Sequence, residues 1–445
     1  MSPLDMPLTT SVPVAPFVGD AALPAQVEIV VIGGGIIGVS TALELGSRGV
    51  SVALCEKGLI AGEQSSRNWG WVRQMGRAEA EIPLAIRSIE LWRGMAERIG
   101  AEVGYRRSGI MYMAFTRRDE ATWTNWHAVG QRAGVETQLL SPAEVAARIP
   151  QLTRPPRVAL WSPSDGCAEP WLAVPAMAEA ARRAGARILT RCAVRGVETA
   201  GGRVSGVVTE RGRIDCAQVV ICGGAWTRLF AGNMGIDFPA LRVVGTVARV
   251  EGVSGLPDHP LGTEDFSFRR RRDGQYTLTL RNANIADILP DNFRLMAQFL
   301  PQLRLNWREF KLRFGRPFLD DLRIPRRWDL DGPTVFETER VLDPKPSPAF
   351  LRQAMANASL VFPTFAKARM TAAWAGAIDV TPDAVPVIDR LEALDGAYVA
   401  SGFSGHGFGI GPGAGELMAD LITGQTPSID PYPYRLSRFS GSAVD

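Results

Sequence analysis

Cysteine is sparse in this sequence and never falls at CxxC spacing. Cys55, Cys167, Cys192, Cys216 and Cys222 are scattered and odd in number, which argues against a disulfide framework or a metal site and fits a reducing cytoplasm. No metal is expected. A run of roughly 18 apolar residues is also missing, so a membrane-spanning helix is excluded, though peripheral contact is not. Lysine is absent between Lys57 and Lys311, and the net charge of +3 is a mild, dispersed excess made almost wholly of arginine. That is not the footprint of a nucleic-acid binder. Residues 1–25 lack a basic n-region, a long apolar run and a twin arginine, and read as a flexible N-terminal arm, not a secretory signal.

Glycine, by contrast, is concentrated where it carries meaning. The 445 residues, 46% hydrophobic and 21% charged, suffice for a large core and two domains. The apolar run Val27 to Ile32 leads into Gly33-Gly34-Gly35-Ile36-Ile37-Gly38, and a segment of helical composition, Val39 to Gly46, follows. Gly33, Gly35 and Gly38 make GxGxxG: the first permits the turn, the second lets backbone approach a pyrophosphate, and the third lets helix pack on strand. A second strand, Ser51 to Leu54, ends near Glu56, the acid expected about 20 residues on to hold an adenosine ribose. This spacing predicts dinucleotide binding and does not separate NAD from FAD.

Further on, Ala173 to Ala184 reads as a helix, and Arg187 to Thr190, Val204 to Thr209 and Gln218 to Cys222 as strands. The last feeds Gly223-Gly224-Ala225-Trp226. A strand at Gly396 to Ser401, a turn Gly402-Phe403-Ser404-Gly405-His406-Gly407-Phe408-Gly409 and a helix Gly413 to Leu421 repeat the pattern. The expected fold is α/β, a Rossmann-like domain plus a mixed β-sheet domain capped by helices.

The chain resembles the D-amino-acid oxidase superfamily, in its glycine oxidase and monomeric sarcosine oxidase branch, over residues 27–434. The motifs that carry this are Val31 to Gly38, Ser65-Ser66-Arg67-Asn68, Trp374-Ala375-Gly376, Thr381-Pro382-Asp383 with Pro386-Val387-Ile388, and Gly402 to Phe408. The resemblance implies FAD and oxidation of the carbon beside an amine in an amino acid or N-substituted amino acid, giving an imine that water hydrolyses. It also implies an FAD domain assembled from residues 26–85, 155–235 and 370–434, a substrate domain from 86–154 and 236–369, and a tail at 435–445. By the same resemblance Gly33, Gly35, Gly38 and Glu56 hold the ADP moiety, Ser66, Arg67 and Asn68 follow the pyrophosphate and ribityl chain, and Val194 meets adenine. Ile36, Ile37, Lys57, Ser65, Trp69, Gly223, Gly224, Trp226, Gly376, Gly402, Gly405, His406, Gly407, Phe408 and Gly409 complete the cofactor site. The helix after Gly411 would aim its positive end at the flavin pyrimidine.

Departures from the family pattern bear on substrate and acceptor. No cysteine follows Cys222, so the flavin attachment of monomeric sarcosine oxidase is absent and noncovalent FAD is expected. That enzyme's oxygen-activating lysine has no counterpart near Gln275 to Leu280, which keeps both an oxidase and a dehydrogenase with another acceptor in view. Two carboxylate anchors are replaced, by Ile378 and Asp379 in one place and Gly409 in the other. Arg73 is the leading substitute, against a role as a phosphate or structural partner. An arginine of 269–272 turned inward, or Asp379 gripping a second amine, are the alternatives. Trp374 fits either a wall of the substrate site or core packing. One of Trp69 and Trp71 faces the site and the other the core. His406 is read as a motif residue beside the flavin in preference to a general base, His127 as structural, and His259 as a surface-loop residue. Pro290 to Leu300 and Arg304 to Phe314 have the spacing of amphipathic helices that cover the substrate sheet or meet a membrane surface. A hydroxy-acid or polyol-phosphate dehydrogenase, and a flavin-binding subunit without turnover, are the other functions considered. Oligomeric state is not encoded in any motif.

Overall fold

The apolar tetrapeptide Ile29–Ile32 lies in the interior of a six-stranded sheet, buried at every position as expected of a strand covered on both faces. The computed structural model describes residues 11–306 and 310–440. In the sheet the order is Val387–Arg390, Ala397–Ser401, Gln218–Ile221, Ile29–Ile32, Val52–Cys55, Arg187–Leu189, all parallel except the first pair. Side chains of the 29–32 strand alternate between two cores. Ile29 and Val31 enter one built with helices Ile36–Ser47, Pro170–Arg183 and Gly407–Thr423, while Val30 and Ile32 enter another with Leu229 and Phe230 of helix Thr227–Asn233.

A second, ten-stranded mixed sheet carries the other half. Its strands Ile110–Ala114, Phe266–Arg270 and Tyr276–Leu280 alternate cleanly. Met111, Met113, Phe266, Phe268 and Leu278 pack on Phe350, Ala354 and Val361 of helix Pro348–Val361. Tyr112, Ser267, Arg269, Thr277 and Thr279, buried on the opposite face, are polar. Strands Val158–Ser162 and Arg369–Val380 belong to this sheet, although the first lies in the segment 155–235 and all but the first residue of the second in 370–434, both assigned to the FAD domain.

Other expectations are corrected too. Residues 11–25 are fastened, not loose: Ser11 binds Asp343, Ala15 N–H donates to Trp171 O, and Asp20 bridges to Ile188. The first ten residues lie outside the described part. In the tail, Leu436 N–H donates to Asp389 and Arg438 pairs with Asp383, which docks residues 435–440. Pro290–Arg294 and Met296–Asn306 are helical, but Phe310–Arg313 is a strand alongside Asn284–Asp287, so a helix over 304–314 does not form; residues 307–309 are not described. Leu295 and Phe299 face inward there, whereas Phe293, Met296, Leu300 and Leu303 are exposed. No helix among the described residues is long and apolar enough to cross a membrane.

Candidate active site

Four strands, Ile29–Ile32, Val52–Cys55, Gln218–Ile221 and Ala397–Ser401, end on a single cavity, the carboxyl-end crevice where open α/β sheets take ligands. The turn after the first strand is possible only with glycine. Gly33 has φ +115°, and a Cβ on it would lie 2.4 Å from the Cys222 carbonyl oxygen; one on Gly38 would lie 2.0 Å from the Gly33 carbonyl oxygen. Ile36 N–H, at the start of the helix, donates to Ser65 Oγ at 2.8 Å. Glu56 takes N–H bonds from Gly34 at 2.7 Å and Gly58 at 2.6 Å, and burial pushes its carboxyl above the usual range. Val194 closes that end with Arg340, which pairs with Glu210.

Lys57 lies between Glu63 at 2.7 Å and the Glu339 carbonyl at 2.6 Å, 4.7 Å from the Trp226 ring centroid. Glu63 also accepts from Trp226 Nε1 and from Leu342 N–H. The segment 334–343, which belongs to no recognisable motif, thereby folds back over the cavity and adds Phe336 and Arg340 to its wall. It is legible only from the folded chain.

At the opposite end stands helix Gly407–Thr423, which begins earlier than the expected Gly413. Gly405, Gly407 and Phe408 line the cavity, and the first turn carries neither an acidic residue nor a side-chain cap. Such an N-terminus offers N–H groups and partial positive charge to a ligand. His406 precedes it, with Nδ1 3.1 Å from both carboxylate oxygens of fully buried Glu81. Burial, then Arg77, push the imidazole below its ordinary range, while against burial His406 holds the Glu81 carboxyl below its own. Asp379 also lines the cavity, but its carboxylate is taken by Gly402 N–H at 2.6 Å and Ser401 Oγ at 3.1 Å.

Of the residues expected at the cofactor, Gly33, Gly35, Ile36, Ile37, Glu56, Lys57, Ser65, Asn68, Val194, Gly223, Gly224, Trp226, Gly405, Gly407 and Phe408 line this cavity. Gly38, Ser66, Trp69, Gly376, Gly402, His406 and Gly409 are not part of its lining. Arg67 is turned away: its guanidinium reaches Asp343 and the carbonyls of Ala375 and Gly62, tying the loop to the large sheet. Trp374 does not line the cavity either. It is buried with Val12 and Val247, and its Nε1 donates to the Arg67 carbonyl at 3.0 Å, a packing role. Gln64, which no motif singled out, joins the lining and holds a buried Oε1 with no hydrogen-bond partner among the described residues.

Beyond the helix terminus the chain Trp71–Val72 passes under Gly409 and leads to Arg73. Arg73 Nη1 donates to the Met75 carbonyl, and its guanidinium lies 5.8 Å from the Tyr112 ring centroid. Arg281, missed in the sequence because nothing marks it, lies 4.2 Å from the same ring. Arg77 is buried beside Arg73, its Nη1 without a hydrogen-bond partner among the described residues, and desolvation, then Arg73, push it down to about 9. Trp71 packs against Tyr112 on the core side, and Trp69 is only partly covered. Arg269 does turn inward, but to Glu169. His127 is satisfied by Thr137 Oγ1 at 2.8 Å. His259 is no free surface residue: it packs edge-on to Trp161, and burial pushes it down to about 4.

A cleft at the carboxyl ends of the strands, with glycine turns, a buried acid at a strand end and two helix N-termini, is the arrangement of a dinucleotide-binding oxidoreductase. The chain belongs to the family described as FAD dependent oxidoreductase, whose profile matches residues 28–421, and its cofactor is FAD. The L-amino acid deaminase from Proteus myxofaciens, solved in complex with anthranilate, is similar with a TM-score of 0.92 and 33% identity, covering 97% of this chain and 98% of that one. The L-amino acid deaminase from Proteus vulgaris gives a TM-score of 0.90 and 31% identity, over 95% and 99% of the two chains. Mitochondrial sarcosine dehydrogenase of Mus musculus is 25% identical over 436 residues, 95% of this chain; the chain spans 42% of that relative's length.

Proposed function

We propose that this protein oxidises the C–N bond of an L-amino acid, releasing an imine that water hydrolyses to the keto acid. The observation that carries the reading is the pair of guanidiniums, Arg73 and Arg281, over the ring of Tyr112 on the polar face of the large sheet, Arg73 standing on the chain that passes Gly409. Two such forks fit a substrate carboxylate. The likeness to two L-amino acid deaminases over nearly the whole chain supports the same class and the L configuration.

FAD, when bound, supplies the acceptor for the hydride equivalent from the substrate α-carbon. The chain's own work is binding and field. Glu56, the 33–38 turn and Val194 would hold the adenosine half, and Gly405, Gly407 and Phe408 would offer the other half the N-terminus of the 407–423 helix, whose partial positive charge favours negative charge. Arg73 and Arg281 orient the carboxylate so that the α-carbon faces the cavity. The apolar surroundings of Trp69 and Trp71 favour the neutral amine over the ammonium. The strand Tyr276–Leu280 carries no lysine, which supports an electron acceptor other than dioxygen.

The test is anaerobic addition of L-, D- and N-methyl amino acids, followed by the flavin absorbance. Bleaching by L-amino acids is expected. Silence across the panel with FAD bound would sink the reading in favour of hydroxy acids or a subunit without turnover.

A further inference from the structure

Proline at position 412 interrupts the helix that meets the cofactor. It has no N–H, and its ring crowds the carbonyl one turn back, so the first turn, Gly407 to Gly411, is weakly joined to the rest of the helix. The structure shows what joins it. Ser88 of helix Ile82–Ile99 inserts its hydroxyl into the ladder: Oγ donates to the Gly409 carbonyl at 2.9 Å and accepts Gly413 N–H at 3.2 Å, the two groups that would otherwise close that turn on each other. One turn further along the same helix, Trp92 Nε1 donates to the same carbonyl at 3.0 Å. Ser88 and Trp92 are both fully buried, and helix Ile82–Ile99 approaches so closely that a Cβ on Gly413 would lie 3.1 Å from the Leu84 carbonyl oxygen. Glu81, at the foot of that helix, holds His406 on the other side of the turn.

We propose that Ser88 is a positioning residue of the flavin site: its hydroxyl, seconded by Trp92, fixes the angle at which the first turn of the 407–423 helix meets the cofactor. Without that hydroxyl the turn is free to swing about Pro412, and the N–H groups and partial charge it brings to the cavity lose their aim. The inference rests on the FAD assignment that underlies the proposed function, not on the identity of the substrate.

The experiment compares the holoprotein with Ser88→Ala, Trp92→Phe and Val361→Ala, the last in the helix behind the large sheet and serving as a control for lost stability. The readouts are the two-electron midpoint potential by dye equilibration, with no amine present, and FAD dissociation followed by flavin fluorescence. Ser88→Ala should lower the potential by about 30 mV, a tenfold change in the reduction equilibrium, and weaken FAD about tenfold, while Val361→Ala moves only the melting temperature. Trp92→Phe should act in the same direction and more weakly; it carries the test if Ser88→Ala does not fold. Potentials within twofold of the parent equilibrium in both variants, with melting lowered as in Val361→Ala, would overturn the proposal. A lowered potential in a protein that no amino acid reduces would leave this inference standing and remove the substrate assignment.

Discussion

Arg269 and Glu169 form a two-point ion pair, Nη1 to Oε1 at 2.8 Å and Nη2 to Oε2 at 3.1 Å, with both side chains 1% exposed. The pair lies beneath Gly70, on the chain that leads from the cofactor loop to Arg73. Glu169 also accepts the Arg272 N–H and Trp171 Nε1. Removing the guanidinium alone leaves a buried carboxylate without its charge partner. Arg269→Met is therefore expected to cost about 3–5 kcal/mol in urea unfolding; a loss under about 1 kcal/mol, the range of exposed pairs, would show that water reaches Glu169.

Arg73 gives the sharpest test of the substrate assignment. Arg73→Ala should lower kcat/KM for amino acids by roughly 10- to 100-fold, the worth of a charged hydrogen bond of about 1.5–3 kcal/mol, and spare amines that lack a carboxylate. Equal losses for both classes would make Arg73 a structural residue.

Asp165 sets a pH dependence. It is fully buried, it accepts N–H groups of Gln74 and Met75, and desolvation pushes it up to about 6 from 3.8. The folded state then binds more protons than the unfolded one between these values, so this group's contribution to stability declines as pH rises from about 4 to about 6, by an order of 3 kcal/mol. Unfolding curves at pH 4 and 7 should show the advantage of the parent over Asp165→Asn shrinking toward neutrality. A pH-independent difference would place the titration elsewhere.

Acid precipitation should leave a colourless pellet and all FAD in the supernatant, since the strand Arg369–Val380 that covers the site carries no cysteine. A yellow pellet would mean a covalent link.

How much of this was legible beforehand follows from the range of each signal. Gly33, Gly38 and Glu56 were readable because a tight turn and an acid at a strand end are local demands, and the structure places them on the predicted strand, turn and helix. Residues whose roles depend on distant partners were not. Arg67 has the motif position of a cofactor contact, yet Asp343 and the Ala375 carbonyl claim it. Trp374 fitted a wall or the core equally in the sequence, and only the Arg67 carbonyl that takes its N–H separates the two. Phe336, Arg340 and Arg281 carry no local pattern, and only the return of their segments to the site shows them. The start of the last helix was misread because Gly409, Gly411 and Pro412 are poor helix formers; tertiary bonds from Ser88 and Trp92 override that propensity.

The sheet order that joins Ile29–Ile32 through Gln218–Ile221 to Ala397–Ser401 also fixes a sequence of events in time. The glycine turn, Glu56 and Val194 all precede residue 200, but Arg340 beside Val194 and the 407–423 helix, seated between helices Ile36–Ser47 and Ile82–Ile99, come from the second half of the chain, so neither end of the cleft is complete until that half has folded. Cofactor capture is therefore expected only after these long-range contacts have closed.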